Sequence, residues 1–239
     1  MLRRRILLKR DGQINDANTL LLLHFDNSLV NSAIGGSSIG NPVNSSSGGY
    51  DASNYKFGSA SFYSSVVVYF IGSSPEAAIK TSMQSDFTFD YWAKIDATVE
   101  GYPDICLLGD TTNQDQAVIM VSHYDTPGYG VGLRVKSTIN GGSSYNFNRG
   151  LGVYNFAQSA SWNHYAFVRK DDILNLYVNG NLIYNWPFNP TIPSTQQHVS
   201  FGGYYTGSSW NTTFNRFDEI RLSNIARWTE NFTPPTQAY

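Results

Sequence analysis

The sequence predicts an all-β protein in which two antiparallel sheets pack face to face as a sandwich. The chain has 239 residues, of which 41% are hydrophobic and 15% aromatic, and this is enough apolar material for one large core. Only 14% of the residues are charged, against roughly 25% in an average domain. Short apolar runs alternate with segments rich in Gly, Asn and Ser, a pattern typical of strands joined by tight turns.

The first third of the chain predicts strands separated by a polar loop, followed by one helix. Three segments predict strands: residues 20–25, 56–63 and 66–71. A loop rich in Gly, Ser and Asn at residues 35–54 separates the first strand from the other two. Residues 75–80 predict a short helix, because Ser74 can cap the first turn and Pro75 suits the first helical position.

The strongest strand pattern covers residues 87–95. Apolar residues occupy every second position of this segment: Phe87, Phe89, Tyr91, Ala93 and Ile95. The positions between them carry polar or charged residues and one Trp: Thr88, Asp90, Trp92 and Lys94. Alternation with a period of two predicts a strand that buries one face in the core of an antiparallel sheet.

The rest of the chain predicts further strands and one hairpin. The strand segments are, in order, residues 105–108, 117–121, 130–136, 152–156, 164–170, 198–201 and 214–222. Residues 174–184 predict a hairpin, because Asn179-Gly180 supplies the two positive-φ positions of a type I′ turn. About a dozen strands without a break in composition predict one sandwich domain rather than two.

The basic residues are concentrated at the N-terminus. Five of the 16 Lys and Arg residues lie within the first ten positions. We therefore divide the chain into a basic N-terminal arm, residues 1–18, and a β domain, residues 19–239. Such an arm is typical of a solvated terminus, and also of a segment that docks on a larger assembly.

Composition disfavours several classes of protein. No apolar run approaches the roughly 20 residues of a membrane helix, so we expect no membrane insertion. Cys106 is the only cysteine, which excludes an intrachain disulfide and a Cys-based zinc site. The net charge of −2 does not favour nucleic-acid binding. The four histidines form no paired metal-binding motif and are predicted to be packed or surface residues: His24, His123, His164 and His198.

Five segments carry a resemblance that extends from about Leu20 to Pro235. They are LLLHFD at 21–26, KFGSASF at 56–62, DFTFDYW at 86–92, residues 162–180 and residues 217–235. Their order and spacing resemble the laminin-G-like jelly rolls of the concanavalin A-like lectin/glucanase superfamily. The resemblance implies a jelly-roll sandwich of two curved antiparallel sheets for residues 19–239.

The superfamily contains lectins, glycosidases, adhesion modules and virion proteins, so the fold alone does not determine the function. Its glucanases place their catalytic carboxylates at alternate positions of one strand, and this sequence has no such pattern. Asp218 and Glu219 are adjacent, so on a regular strand their side chains would point to opposite faces. We therefore expect that the protein is not an enzyme.

Calcium is the one ion that the resemblance suggests. Asp26 and Asp218 occupy acidic positions that recur in the superfamily, where oxygen ligands gather at strand ends, and this implies a structural calcium ion. The alternative is that Asp26 caps a turn and Asp218 accepts backbone hydrogen bonds. We favour that alternative, because Ca²⁺ takes 6–8 oxygen ligands and the sequence offers few carboxylates for them. No other cofactor is implied.

Three loop segments combine aromatic residues with Gly, Ser, Thr and Asn. They contain Tyr204, Tyr205 and Trp210, then Tyr145 with Arg149, and then Tyr124 with Tyr129. Sugar rings offer C–H faces to aromatic rings and hydroxyls to polar side chains, so these segments predict contact with a glycan. The same composition suits a protein partner, and it also suits aromatic residues that simply close the ends of the sandwich.

We predict a non-catalytic recognition or adhesion module that binds a glycan or a surface protein through these loops. The C-terminal residues 226–235 resemble stand-alone phage and prophage tail-associated proteins, which implies location on a virion or, alternatively, on a bacterial cell surface. The alternative function is a structural protein of a phage particle. Such a protein would assemble through protein contacts, as a homo-oligomer or with other virion proteins, without binding sugar.

Overall fold

A computed structural model of the chain describes residues 15–36, 39–44, 49–64, 67–71, 73–95, 104–110, 117–126, 130–137, 147–153, 156–157, 160–189, 197–205, 210–213 and 215–239. These residues form one helix, α1 (Ser73–Met83), and strands β1 (Thr19–Leu23), β2 (Val43–Asn44), β3 (Tyr50–Asp51), β4 (Ser61–Tyr63), β5 (Val68–Ile71), β6 (Phe87–Lys94), β7 (Ile105–Asp110), β8 (Ala117–Thr126), β9 (Gly130–Ser137), β10 (Phe147–Gly152), β11 (Trp162–Lys170), β12 (Ile173–Val178), β13 (Asn181–Pro187), β14 (Gln197–Phe201), β15 (Gly203–Tyr205), β16 (Trp210–Thr212) and β17 (Arg216–Ser223).

The strands form two large antiparallel sheets and one small hairpin. The first sheet has eight strands in the order β13-β12-β11-β6-β17-β4-β3, with β1 also paired to β17. The second sheet has seven strands in the order β10-β9-β8-β7-β14-β5-β2. Among the described residues, strands β15 and β16 pair with each other and with no other strand. This architecture confirms the predicted all-β jelly-roll sandwich.

The core lies between the two sheets and is dominated by aromatic and branched side chains. Strand β6 supplies Phe87, Phe89, Tyr91 and Ala93, so its predicted inward face is confirmed. The second sheet supplies Leu107, Ile119, Val121, Leu133 and Val199, among others, to the same cluster. Alternate positions on facing strands are therefore removed from water, and this burial is the main stabilising contribution to the fold.

The outward face of β6 is also buried, which the alternation did not predict. Thr88 and Asp90 are fully buried and Trp92 is 5% exposed. The C-terminal segment, residues 224–239, covers Thr88 and Asp90, whereas Lys56 and Phe57 lie over the ring of Trp92. Thr88 Oγ1 donates to the carbonyl of Ile225 at 2.8 Å and accepts from the N–H of Arg227 at 2.9 Å, which fixes this segment on the strand.

Aromatic side chains of the C-terminal segment form a second, smaller apolar cluster on this outer face. The rings of Trp228 and Phe232 stack at a centroid distance of 4.0 Å. They pack against Ala166, Val168 and Tyr177 of β11 and β12. The first sheet is therefore covered on both faces, and its outer face is closed by a segment without regular secondary structure.

The predicted hairpin is confirmed as β12 and β13. Asn179 and Gly180 have φ values of 49° and 78°, as a type I′ turn requires. A Cβ atom on Gly180 would lie 1.8 Å from the carbonyl oxygen of Phe232. Glycine is therefore required at this position both by the backbone conformation and by the close approach of the C-terminal segment.

Other elements differ from the sequence-based predictions. The predicted strand at residues 152–156 is wrong: the strand is β10, which ends at Gly152, and the N–H groups of Phe156 and Ala157 both turn back to the carbonyl of Val153. The helix is longer than predicted, because Ile79 and Met83, one turn apart, both reach the core. This helix is too short and too polar to cross a membrane. The described residues contain no other helix that is long and apolar enough to do so.

Candidate functional site

The predicted binding residues Tyr204, Tyr205 and Trp210 lie on a short hairpin, β15–β16, and not on the predicted loop. Tyr204 pairs with Asn211, and Tyr205 pairs directly with Trp210 across the β15–β16 ladder. The hairpin follows Phe201, the last residue of β14, and precedes the first residue of β17. We call the end of the sandwich from which it projects the hairpin end.

A single buried carboxylate holds the base of this hairpin. Asp104 Oδ2 accepts hydrogen bonds from the backbone N–H and from Nδ1 of His123, the latter at 3.0 Å. Its Oδ1 accepts from the side-chain amide of Asn215 at 2.8 Å, and its backbone carbonyl accepts from the N–H of Gly202 at 2.7 Å. Gly202 and Thr213 are joined by a further backbone bond of 3.2 Å. Both strands of the hairpin therefore start from fixed points.

The hydrogen bonds of Asp104 continue into the core. His123 Nε2 lies 3.0 Å from the hydroxyl of Tyr91, whose ring stacks on Tyr165 at a centroid distance of 5.5 Å. Burial raises the pKa of Tyr91 well above its usual value, so the phenol stays neutral. The order carboxylate, imidazole, hydroxyl matches that of a proton relay. However, these three side chains are at most 1% exposed, so no substrate reaches them and we interpret the network as structural.

Sequence reasoning did not identify Asp104. The one signal was an acidic residue immediately before the apolar run of β7, and a single His within the apolar run of β8. His123 and His164 are buried, so of the two predicted alternatives, packed or surface residues, both are packed.

Tyr124 belongs to the body of the second sheet rather than to a loop. It lies on β8 and is only 8% exposed. Its ring lies over Gly132 of β9, where a Cβ atom would come within 2.4 Å of it. Its hydroxyl lies 3.5 Å from the place that a Cβ of Gly150 would take on β10. The two glycines therefore provide the space in which Tyr124 packs.

Arg149 lies at the lateral edge of the sandwich, away from the hairpin. It is exposed on the edge strand β10, and its guanidinium lies 5.6 Å from the centroid of the Tyr184 ring on β13. Tyr129 and Tyr145 fall in the connections at opposite ends of β9 and lie outside the described residues. The structure thus brings Tyr204, Tyr205 and Trp210 onto one hairpin but does not bring Arg149 to it.

The two predicted calcium ligands both hold the segment 56–60. Asp218 Oδ2 accepts from the N–H groups of Lys56 and Phe57 at 2.8 and 3.1 Å, and its Oδ1 accepts from the N–H of Glu219 at 2.9 Å. Asp26 Oδ1 accepts from the N–H and the hydroxyl of Ser59 at 2.5 and 3.1 Å.

This arrangement does not fit a calcium ion, because Asp26 and Asp218 face N–H donors instead of further oxygen ligands. No group of three or more His, Cys, Asp or Glu side chains in the described part of the chain is placed to hold a metal ion. Calcium stays a prediction, which the binding experiment below includes.

Two neighbouring titratable groups have raised pKa values. Burial, with a smaller contribution from the charge of Glu219, raises the pKa of Asp218 to about 8 despite its backbone hydrogen bonds. A hydrogen bond of 2.8 Å to Glu219 Oε1 raises the pKa of His24 above its usual value. The folded protein therefore holds protons at both sites that the unfolded chain releases.

Thermal stability is expected to fall as pH rises from 6.5 to 8.5. The native state keeps a proton on Asp218 that the unfolded carboxyl loses near pH 4, so the stabilisation from this proton is lost as pH rises through the folded pKa. The stability contributed by protonated His24 is likewise lost above the folded pKa of His24. The combined loss is expected to lower Tm by about 5 °C. Differential scanning calorimetry at half-unit pH steps measures it. The Asp218→Asn variant should show a shallower slope, and a Tm that rises over this range would contradict the assignment.

Comparison with known proteins places this architecture in a family. The family model for the concanavalin A-like lectin/glucanases superfamily matches residues 72–231. A search of curated protein sequences gives no match. Among solved structures, the chain is similar to domain 4 of an extracellular arabinanase from Geobacillus stearothermophilus, solved in complex with arabinotriose. The identity is 16%, the TM-score is 0.53, and the match covers 88% of this chain and 94% of that chain.

Botulinum neurotoxins provide two further similar structures. One is the binding domain of botulinum neurotoxin DC in complex with rat synaptotagmin II, with 14% identity, a TM-score of 0.58 and 89% of this chain covered. The other is botulinum neurotoxin type C, whose passage into cells depends upon interaction with two ganglioside molecules, with 16% identity, a TM-score of 0.56 and 87% covered. This chain spans about half the length of these two, 49% and 48%. The match to the family model over two thirds of the sequence shows that the chain belongs to the concanavalin A-like lectin/glucanases superfamily.

Proposed function

We propose that this protein is a non-catalytic carbohydrate-binding module that binds its glycan through the β15–β16 hairpin, with the directly paired Tyr205 and Trp210 as the contact surface and Tyr204 on the opposite face. The observation that carries the proposal is an aromatic hairpin whose base is fixed by the buried carboxylate of Asp104. A platform that is ordered before the ligand arrives loses little conformational entropy on binding, so a small contact area gives a useful affinity.

The chemistry of the hairpin suits a neutral sugar. Aromatic rings cover the C–H faces of a pyranose or furanose, and the Gly, Ser, Thr and Asn residues of segment 202–213 supply uncharged hydrogen-bonding groups. Two of the similar structures concern proteins that bind carbohydrate. The arabinanase domain is solved in complex with arabinotriose, and the cell entry of botulinum neurotoxin type C depends on interaction with two ganglioside molecules. Weak single-site binding would be strengthened where several copies are displayed together.

The buried carboxylates of the described residues are engaged within the fold and offer no catalytic pair. A glycosidase needs two carboxyl groups across an open cleft, roughly 5–10 Å apart. Four carboxylates are buried and are held by hydrogen bonds or ion pairs within the fold: Asp90, Asp104, Asp218 and Glu219. None of these four faces a cleft that a sugar could enter.

We further propose that the module acts on the surface of a virion or, alternatively, of a bacterial cell. The support for this setting is the resemblance of residues 226–235 to phage and prophage tail-associated proteins, together with the basic arm at residues 1–18. A phage structural protein without sugar binding is the competing function, and the experiment below separates the two.

Replacing Tyr204, Tyr205 and Trp210 together by Ala is expected to reduce glycan binding at least tenfold. Tyr205 and Trp210 provide the apolar contact area of the proposed site and Tyr204 provides the aromatic ring of the opposite face. Each buried aromatic contact contributes about 1 kcal/mol or more. A broad glycan array measures the effect, run with calcium and with EDTA, and isothermal titration calorimetry then follows the best ligand. Unchanged binding by the triple variant would move the site away from the hairpin.

The control for this experiment is Tyr55→Ala. Tyr55 is an aromatic residue that is 42% exposed, and it belongs to the loop between β3 and β4, far along the chain from the hairpin. It should bind as the unmodified protein does. An array without signal in both conditions would overturn glycan binding and favour the structural protein, whose oligomeric state should then depend on residues 1–18.

A further inference from the structure

A groove of about 450 Å³ lies at the end of the sandwich opposite the hairpin. One wall is formed by Ser85 and Asp86, which precede β6, and by Lys170, the last residue of β11. The other wall is formed by Asn224, Ile225 and Thr229 of the C-terminal segment. We call it the end groove. Its volume is within the range of small-ligand sites, about 300–1,000 Å³.

The first wall is held in place by groups behind it. Arg169 is 4% exposed and donates from Nη1 to the carbonyls of Met83 and Ser85 at 3.1 and 3.0 Å. Asp86 Oδ2 accepts from Lys170 Nζ at 2.7 Å, and its Oδ1 accepts from the N–H of Asp171 at 3.2 Å. The ends of α1 and β11 are thus locked together before any ligand binds.

The second wall is equally fixed. Thr88 of β6 bonds both the carbonyl of Ile225 and the N–H of Arg227. The N–H of Asn224 donates to the carbonyl of Asn18 at 3.0 Å, and Arg227 Nη2 bonds Asp16 Oδ1 at 2.8 Å. The exposed side chains of Asn224 and Thr229 therefore project from a backbone that is pinned to the first sheet and to the start of β1.

The chemistry of the end groove selects an uncharged, hydroxyl-rich ligand. Lys170 Nζ lies between the carboxylates of Asp86 and Asp171, at 2.7 and 3.2 Å, so its positive charge is more than offset and does not select an anion. The second carboxylate, Asp171, is 81% exposed and solvated. Asp86 is engaged by the same ammonium group and does not select a cation. The ammonium group of Lys170 can donate hydrogen bonds to the hydroxyls of a sugar, and the carboxylate of Asp86 can accept them. The apolar side chain of Ile225 can contact the C–H groups of the sugar ring.

We propose that the end groove is a second carbohydrate subsite, sized for one or two neutral sugar rings and independent of the hairpin. The inference rests on the proposed function in that both sites bind sugars, but each site can be tested alone. Strand β11 runs from the hairpin end at Trp162 to the groove at Lys170, a separation of roughly 26 Å. A module with sites at both ends bridges two glycan chains, or two segments of one chain.

The test is an NMR titration that observes both ends of the protein at once. Uniformly ¹⁵N-labelled full-length protein is titrated with three neutral trisaccharides, arabinotriose, maltotriose and cellotriose, to 20 mM. At least one of them is expected to shift the amide signals of residues 85, 86, 170 and 224–229 in a saturable manner. Absence of saturable shifts at these residues with all three sugars overturns the proposal.

Two variants test the groove without touching the core. Thr229→Trp fills the groove from an exposed position, and Lys170→Met keeps the aliphatic stem but removes the donor; each should raise the Kd at the groove at least tenfold. The matched control is Lys94→Met, which removes a Lys from the hairpin end of the same sheet and should leave this Kd unchanged. Groove binding that survives Thr229→Trp, with the fold confirmed by the dispersed amide spectrum, also overturns the proposal.

The outcomes for the two sites are separable. The triple Ala variant of the hairpin should retain the groove shifts, and Thr229→Trp should retain array binding through the hairpin. Shifts confined to the hairpin end would end the groove inference and leave the proposed function standing. Shifts confined to the end groove would support the groove inference and would overturn glycan binding by the hairpin.

Discussion

Replacing Arg221 by Met is expected to lower the free energy of unfolding by about 3–5 kcal/mol. Arg221 Nε and Nη2 lie 2.9 and 3.1 Å from the two oxygens of Asp90, and both side chains are fully buried. Methionine keeps much of the volume but leaves the Asp90 charge without its counter-ion, and a buried charge without a partner is strongly destabilising. Urea denaturation at pH 7 measures the loss.

The rest of the network cannot compensate for Arg221. Asp90 also accepts a hydrogen bond from the hydroxyl of Tyr239 and lies 3.1 Å from His164 Nε2. Burial lowers the pKa of His164, so the imidazole stays neutral and supplies no charge to Asp90. Arg221 also lies 3.6 Å beneath the ring of Tyr239, so its removal loosens the contact between the first sheet and the C-terminal segment.

The matched control is Arg216→Met on the same strand. Arg216 Nε lies 2.8 Å from Asp51 Oδ2, but these side chains are 18% and 16% exposed, so water remains available to both charges. Arg216→Met is expected to lower the free energy of unfolding by about 1 kcal/mol.

The double variant Arg221→Met/Asp90→Leu should be more stable than Arg221→Met alone, because it removes the unpaired charge. Equal losses for Arg221→Met and Arg216→Met would refute this account.

Replacing Asp104 by Asn is expected to lower the free energy of unfolding by about 3 kcal/mol and to reduce glycan binding at the hairpin at least tenfold. The two carboxylate oxygens accept from His123 on one side and from Asn215 on the other. An amide in either orientation places its NH₂ group against one of these donors, so buried polar groups lose their partners. The base of the hairpin then loses its fixed starting points, and binding loses its preorganisation.

Thermal melts and calorimetric titration at 15 °C, where the variant remains folded, separate these two effects. Glu230→Gln is the control, because Glu230 is an exposed carboxylate at a distance in sequence from the hairpin and its neutralisation should change stability by less than about 0.5 kcal/mol. If Asp104→Asn lost stability but bound glycan normally, Asp104 would hold the core without positioning the site.

The parts of the fold that were predictable are those with local causes. The inward face of β6 follows from its alternation, and the β12–β13 hairpin follows from Asn179-Gly180, whose backbone conformation is favoured within four residues. Strand β10 was misplaced, because residues 147–152 contain two glycines and an Arg and show no alternation. The position of β10 in the chain is determined by its antiparallel pairing with β9. The β15–β16 hairpin was missed for a similar reason, since strands of three residues carry too little periodicity.

The sequence by itself determined the fold class, the aromatic residues of segment 204–210 as a binding candidate, and the absence of a paired metal-binding motif among the histidines. These follow from composition, period-two patterning and turn chemistry, which act between residues close in the chain. Only the tertiary structure decided that Asp104 holds the hairpin through Asn215, 111 residues away, and that the C-terminal segment buries Asp90 and Arg221. Such contacts depend on strand order and register, and register is set by the cooperative burial of both sheets rather than by any one segment.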